Sequence, residues 1–287
     1  MGIISGLISM FGWGTSDFLA AKSSRKIGFV LTFFWAQIFG ISVALVYLFL
    51  KIKKLSITGI SQFTIELLFA SLFLTIAVLF YYRGLEKGKI SLVSPIGSSF
   101  SLVTVILSVI FFHEILKPFQ IIAIILIILG IILVSINFKE ILMIKKITVF
   151  SGVKEGVIAM FLWGITYFLI ISPIKILGWF IPMLLIKLFS LVFIIFYLIF
   201  KRQPIKINVQ PIFFILLFLT GFLDILASFA LTIGIESQYA SIIVPVAASY
   251  PLVTIIMVRL FLKEKLVLNQ VLGIIITILG LILISIK

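Results

Sequence analysis

Residues 6–19, GLISMFGWGTSDFL, return 150 positions later as GVIAMFLWGITYFL at 156–169. Without a gap, the same offset lays Gly84, Glu86, Ser91, Pro95 and Ser99 over Gly234, Glu236, Ser241, Pro245 and Ser249. It lays Leu102-Val103-Thr104 over Leu252-Val253-Thr254, and Glu114 and Gln120 over Glu264 and Gln270. About 40 of 137 compared positions are identical, and an apolar bias does not by itself pair Trp with Trp, Pro with Pro or Glu with Glu. The chain therefore reads as a duplication: a first repeat over 1–137, a linker loop over 138–150 and a second repeat over 151–287.

Each repeat holds five apolar runs. They are 2–21, 29–50, 62–82, 90–112 and 118–137, then 152–172, 179–200, 211–234, 240–262 and 267–286. A helix needs about 20 apolar residues to cross a bilayer, and each run supplies them. The runs are apolar throughout and do not alternate, which excludes barrel strands; an open sheet would leave edge groups unpaired in lipid. The expected fold class is an all-α integral membrane protein. Five crossings are an odd number, so the second repeat enters from the opposite side. The ten helices then form two inverted five-helix repeats about a pseudo-two-fold axis in the membrane plane. Such halves can exchange conformations and open a path to alternate sides, the device of secondary transporters.

Composition narrows the function classes. The chain has 287 residues, 63% hydrophobic and 11% charged, with mean hydropathy +1.41. A soluble domain carries about 25% charged residues, so a water-soluble globule is excluded. The net charge is +14, from 23 basic and 9 acidic residues. Most cations lie in short loops, where they set topology and meet lipid headgroups. No basic helix stands outside the membrane to bind nucleic acid. There is no cysteine and one histidine, His113 at a helix end, so thiol chemistry and a two-histidine zinc site are absent. GLEKGKIS from Gly84 has three residues between its glycines where a phosphate loop has four, and Gly12-Trp13-Gly14 lacks the third glycine of a dinucleotide site. The reading is no enzyme and no cofactor, with energy drawn from an ion gradient or the substrate's own. The run from Gly2 has no basic leader and reads as a retained first helix.

The charges inside the spans are the candidate site. The only aspartates, Asp17 and Asp224, lie in apolar runs, and Lys187 is near the middle of its own. A lone charge at mid-bilayer costs about 2.5–3.5 kcal/mol on insertion scales, so none should face lipid. One reading of Lys187 and Asp224 is a substrate- or proton-binding pair; the other is an ion pair that fixes helix packing. An unpaired Asp224 would be open to proton coupling, whereas one close to Lys187 would stay ionised. Asp17 lies one turn from Trp13 on the same face; its alternative is a headgroup-level pairing with Lys22 or Arg25. Trp13 and Trp163 recur at matched positions and can stack on a planar substrate or attract a cation, or simply pack helices. Trp35 and Trp179, near helix ends, read as interface residues. Gln37, Tyr167, Ser98 and Tyr250 complete the substrate-binding candidates.

Pro95 and Pro245 interrupt the fourth helices among Ser91, Ser94, Ser98, Ser99 and Thr104, and among Ser241, Ser249, Tyr250, Pro251 and Thr254. Proline removes a backbone donor and kinks the helix, and hydroxyls can re-satisfy the freed groups. These helices are expected to line a wet path as a gate, with Gly84, Pro95, Gly234 and Pro245 as hinges. The same composition suits small-residue packing. Runs 118–137 and 267–286, nearly pure aliphatic with Gly130, Gly273 and Gly280, are expected to face lipid or a second copy of the protein. A homodimer and a monomer are thus both open.

The motifs together resemble the drug/metabolite transporter superfamily, in particular its ten-helix EamA-type carriers. Trp13-Gly14 and Trp163-Gly164 carry that resemblance, with Gly84 to Pro95, Gly234 to Pro245, His113-Glu114, Lys263-Glu264, Gln120, Gln270, Gly130 and Gly280. It covers essentially the whole chain. It implies a multi-pass carrier in a prokaryotic plasma membrane, a pocket lined by the first, third and fourth helices of each half, and peripheral fifth helices. Family members often carry a basic residue in the second helix; here that position holds Gln37 in one half and Lys187 in the other. The implied activity is alternating-access transport of a small metabolite, an amino acid or related compound, with export favoured. A sugar or cationic-drug carrier, or a receptor or scaffold without transport, is the alternative. Orientation is open: the count of loop cations places the N-terminus outside, and the resemblance implies both termini inside.

Overall fold

The computed structural model describes residues 2–51, 59–135, 151–207, 210–262 and 267–286. The linker with Lys139, Lys145 and Lys146 lies outside the described residues, as do Lys53, Lys54, Lys263, Glu264, Lys265 and Lys287. Helices follow one another as α1 (Gly2–Ile27), α2 (Phe29–Lys51), α3 (Ile60–Lys87), α4 (Ile90–Ser98), α5 (Phe100–Phe112) and α6 (Pro118–Ser135). The chain continues as α7 (Val153–Leu169), α8 (Ile171–Leu177), α9 (Phe180–Phe200), α10 (Pro211–Ser237), α11 (Ala240–Ala247), α12 (Pro251–Leu262) and α13 (Leu268–Ser285). Counting α4–α5, α7–α8 and α11–α12 as one crossing each, eight crossings are long and apolar enough to span a membrane. The shorter apolar helices α6 and α13 bring the total to ten.

Helix breaks follow proline. Pro173 cannot donate to the carbonyl of Leu169 and its ring crowds that turn, so the sixth crossing breaks at Ile170 between α7 and α8. The sequence reading had this crossing continuous. Pro95 lies inside α4, and its carbonyl accepts from Ser98 Oγ at 2.9 Å and Ser99 Oγ at 3.0 Å just where α4 gives way to α5. At the matched break, Ser249 Oγ donates to Pro245 O at 3.0 Å, and Pro251 opens α12. Hydroxyls thus give the carbonyls at each break a donor from their own turn.

The halves pack by exchange. α1 lies against α10 and α3 against α7; α2 lies against α10 and α9 against α3. Individual hydrogen bonds recur with the repeat, the first two pairs below crossing between the halves and the third lying within each half. Thr104 Oγ1 donates to Gly164 O at 3.1 Å, and Thr254 Oγ1 to Gly14 O at 3.1 Å. Ser16 Oγ donates to Thr220 O at 2.9 Å, and Thr166 Oγ1 to Ala70 O at 3.4 Å. Arg25 donates to Gly88 O at 3.0 Å, and Lys175 to Gln238 O at 3.0 Å. Each pair is related by the 150-residue offset. Lipid tails are as apolar as leucine, so helices in a bilayer associate through close approach and interhelical hydrogen bonds, each worth about 0.6 kcal/mol. Gly14 and Gly164 supply the approach: a Cβ there would meet Tyr250 O at 2.6 Å or Phe100 O at 3.1 Å.

α6 and α13 pack on each other along one face, with Gly130, Gly273 and Gly280 at the crossing. A Cβ on Gly130 would sit 2.6 Å from the Thr277 amide nitrogen, and one on Gly280 2.9 Å from Ala123 O. The expected outward exposure of these runs therefore holds for only part of each helix. The glycines are spent within the chain, while Ile121, Ile122, Ile125, Leu272, Ile275 and Leu279 face outward.

Candidate functional site

A narrow cavity lies between the two halves. α1 contributes Trp13, Ser16 and Asp17, and α2 contributes Phe33, Ala36 and Gln37. α3 adds Leu74, Val78, Tyr81 and Tyr82, and Phe100 stands at the start of α5. From the second half come Trp163 and Tyr167 on α7, Lys187 on α9, Asp224 on α10 and Tyr250 at the break before α12. Eight of the nine substrate-binding candidates therefore converge on one space. Ser98 does not: it is fully buried, with its hydroxyl on Pro95 O.

Two acidic groups meet this cavity in different company. Lys187 Nζ lies 2.6 Å from Asp224 Oδ2, with side-chain exposures of 6% and 29%. Asp17 belongs to no ion pair among the described residues. Tyr81 Oη donates to Asp17 Oδ2 in a short hydrogen bond, and Ser94 Oγ approaches the same oxygen at 3.4 Å. The headgroup-level alternative for Asp17 is overturned. Lys22 Nζ lies over the Phe18 ring at 4.7 Å, Arg25 is engaged by Gly88 O, and Asp17 is 9% exposed. On a buried turn the short Asp17 side chain meets the neighbouring helices, whereas the long Lys22 and Arg25 chains extend away from it.

The aromatic wall is continuous. Trp13 meets Phe100, Tyr167 and Tyr250 at centroid distances of 6.4, 5.8 and 6.1 Å. Trp163 meets Tyr81 at 4.7 Å and Phe100 at 6.0 Å. Phe100 thus bridges the matched tryptophans, both of which border the cavity. Gln37 Nε2 donates to Ser190 Oγ at 3.1 Å, and Thr75 Oγ1 donates to the same hydroxyl at 2.8 Å, so the wall of α2 is tied to α9 and α3. Trp35 and Trp179 lie outside the cavity; Trp35 Nε1 donates to Ile205 O at 3.3 Å, and Trp179 packs on Tyr47 and Phe229.

The hinge candidates sit in the packing and not in the wall. Pro95 and Pro245 are buried in α4 and α11, and Gly84 and Gly234 lie in contact with the backbone at Gly152 and Gly2. Of the two fourth crossings only Phe100 and Tyr250, one at each break, reach the cavity. Against the expectation of a hydroxyl-lined gate, Ser98, Ser99, Thr104, Ser249 and Thr254 turn their oxygens to carbonyls of their own or of the opposite half, while Ser94 approaches Asp17. The second helices, absent from the implied pocket, supply Phe33, Ala36, Gln37 and Lys187. Ser16, Phe33, Ala36, Leu74, Val78, Tyr81, Tyr82 and Phe100 were not read from the sequence. For Tyr81 and Tyr82 the signal was a pair of phenols inside an apolar run, each needing a partner when buried.

The arrangement can hold a small molecule with both charge signs and a flat or apolar body. A lysine ammonium has three donors and a carboxylate about four acceptor sites, so neither Lys187, Asp224 nor Asp17 is saturated by one or two protein bonds. A model of the EamA-like transporter family matches residues 1–136 and again 150–286. An uncharacterized protein of Methanocaldococcus jannaschii is 39% identical over 137 residues, which are 47% of this chain and 96% of that protein. A solved crystal structure, titled only as that of a protein, aligns with a TM-score of 0.77 at 11% identity. That alignment covers 99% of this chain and 95% of the other, a likeness of fold.

Proposed function

The chain belongs to the EamA-like transporter family, a family of multi-pass membrane carriers of small molecules, and from that premise we propose an alternating-access carrier of an amino acid or related zwitterion. One observation supports this reading above the rest: a mid-membrane cavity between the exchange-packed halves holds the Lys187–Asp224 pair, an additional carboxyl on Asp17, and two tryptophans. A substrate carboxylate would take a donor from Lys187. A substrate ammonium would take acceptors from Asp224 or Asp17, and Trp13 and Trp163 would hold the body.

The direction we assign draws on the same cavity. Its α2 and α3 walls, Phe33 to Gln37 and Val78 to Tyr82, lie toward the face of Arg25, Lys26 and Lys87. Cation-rich loops favour the cytoplasmic side, so loading from the cytoplasm and export through a prokaryotic plasma membrane is the direction we assign. Proton coupling through Asp17 belongs to this proposal. The repeats 1–137 and 151–287, joined by 138–150, act as its two moving units.

A second reading, a carrier of organic cations, draws on the carboxyl of Asp17 that has no ionic partner within an eight-ring wall. Counterflow of amino acids, organic cations and sugars in proteoliposomes tests both. Accumulation of a labelled amino acid supports the first and of a cation the second, while no movement of any compound removes the carrier reading.

A further inference from the structure

Two grooves on the outside of the bundle run together along α1. The first, at the level of the helix ends on the face of Lys175, has Lys117, Gln120 and Gln238 in its lining. The second follows Ile8, Phe11, Gly12 and Thr15 of α1, with Leu223 and Ala227 of α10 across from them. Ile4 and Leu7 belong to both. Each holds more free space than the narrow cavity between the halves. At Gly12 the two helices touch: a Cβ there would meet Ala227 Cβ at 2.8 Å and Leu223 O at 3.1 Å. From Ile4 to Thr15 a helix rises about 16 Å, close to the roughly 15 Å of hydrocarbon in one leaflet. Ile4, Ile8 and Phe11 are exposed along that length.

The duplication does not repeat this lining. The 150-residue offset puts Leu162, Ile165 and Phe73 where Gly12, Thr15 and Leu223 stand, three larger side chains along the matched seam of α7 and α3. It puts Val267 in the place of Lys117 and Gly88 in the place of Gln238. The cleft and its polar end therefore belong to one side of the protein. That polar end has bonding capacity to spare. Lys117 Nζ lies over the Phe119 ring at 5.7 Å and joins no ion pair among the described residues. Gln238 Oε1 is buried and accepts no hydrogen bond among them. An ammonium carries three donors and a side-chain amide oxygen two acceptor sites, so a phosphate beside a hydroxyl would answer both.

We propose that the joined grooves are a binding site for one membrane phospholipid with an anionic, hydroxyl-bearing headgroup. The phosphate sits at Lys117, the headgroup hydroxyl reaches Gln238, and one hydrocarbon chain lies between α1 and α10 as far as Thr15. Charge and depth select this occupant: a cation at headgroup level over an apolar cleft one leaflet deep fits an anionic lipid of the leaflet on the Lys175 face. On its inner side the same stretch of α1 carries Trp13 and Asp17 to the central cavity, so the bound chain backs the cavity wall.

Native mass spectrometry of the purified full chain tests this, with phosphatidylglycerol and phosphatidylcholine of identical chains titrated in turn. The wild type should take up one phosphatidylglycerol about fivefold more tightly than one phosphatidylcholine, the preference that a single lysine at a membrane surface supplies. Lys117→Gln should abolish that preference and leave phosphatidylcholine binding within twofold of the wild type. Thr15→Ile with Leu223→Phe, which copies the matched seam, should weaken both lipids at least threefold and keep the preference between them. Thr15→Phe alone serves where that pair does not fold. A preference that survives Lys117→Gln overturns the inference. So does a ladder of equal adducts for both lipids in every variant, the mark of an unspecific lipid layer. A dimer that comes apart in the Thr15→Ile, Leu223→Phe variant gives the groove to a second copy and overturns it too. None of these readouts involves transport, so the carrier reading stands or falls separately.

Discussion

The ammonium of Lys187 and the carboxylate of Asp224 are 2.6 Å apart, and the residues at the matched positions of the first half, Gln37 and Leu74, carry no charge. The framework repeats while the ion pair does not, in keeping with the role at the substrate proposed for it. Removing one member of a buried pair leaves an uncompensated charge and costs about 3–5 kcal/mol; the partial exposure of Asp224 puts Asp224→Asn near the low end. The double variant Lys187→Gln with Asp224→Leu copies the first half and restores most of that stability. Thermal unfolding in detergent should show a large loss in the single variant and recovery in the double, with transport absent from both.

Tyr81 gives its phenolic hydrogen to Asp17, leaving Ser94 as the other donor to that oxygen. Tyr81→Phe leaves the buried Asp17 oxygen with one partner fewer and should cost about 1–3 kcal/mol. Asp17→Asn keeps the shape but removes the titratable carboxyl, and transport should fall at least tenfold while the unfolding midpoint moves by only a few degrees. Initial rates in proteoliposomes, paired with unfolding curves, separate the two effects. Full activity in Asp17→Asn removes Asp17 from the site.

Of the four tryptophans, Trp13 and Trp163 border the cavity and Trp35 and Trp179 do not. Substrate binding should therefore change the fluorescence of the protein, and the change should vanish in the Trp13→Phe, Trp163→Phe pair. An aromatic contact is worth about 0.5–1.5 kcal/mol, so each single change to Ala should raise KM between about twofold and tenfold. Persistence of the full signal in the paired variant would assign it to the helix ends.

Thr104 and Thr254 make the same 3.1 Å bond to the opposite half's glycine carbonyl. Thr104→Val and Thr254→Val keep the shape and delete the donor, and each should cost about 0.6 kcal/mol. The two midpoints should agree within about one degree. Clearly unequal shifts would mean that the exchange symmetry does not extend to energy.

What the sequence disclosed and withheld divides along physical lines. The duplication was legible because Gly14, Gly164, Thr104 and Thr254 must recur for each half to approach the other, and such residues repeat in print. Charges within apolar runs disclosed Asp17, Lys187 and Asp224, since lipid does not tolerate them unpaired. The partner of Asp17 was hidden because it comes from α3, and no periodicity along α1 names the helix opposite. Phe33, Ala36, Leu74 and Val78 were hidden for another reason: aliphatic and aromatic residues face lipid, neighbours and cavity alike in such a chain. The pairing of α6 with α13 escaped because a stripe of glycine and isoleucine looks the same whether its cover is another chain or the far end of its own.

Glu114, at the elbow between α5 and α6, accepts the amides of Ala240 and Ser241 at 3.0 Å each and so closes the amide end of α11. That helix leads through its break to Tyr250, whose ring borders the cavity. A tether from one half thus grips the root of a cavity-bearing segment in the other. Any tilt of α11 would have to drag that elbow along, as one cog drags the next.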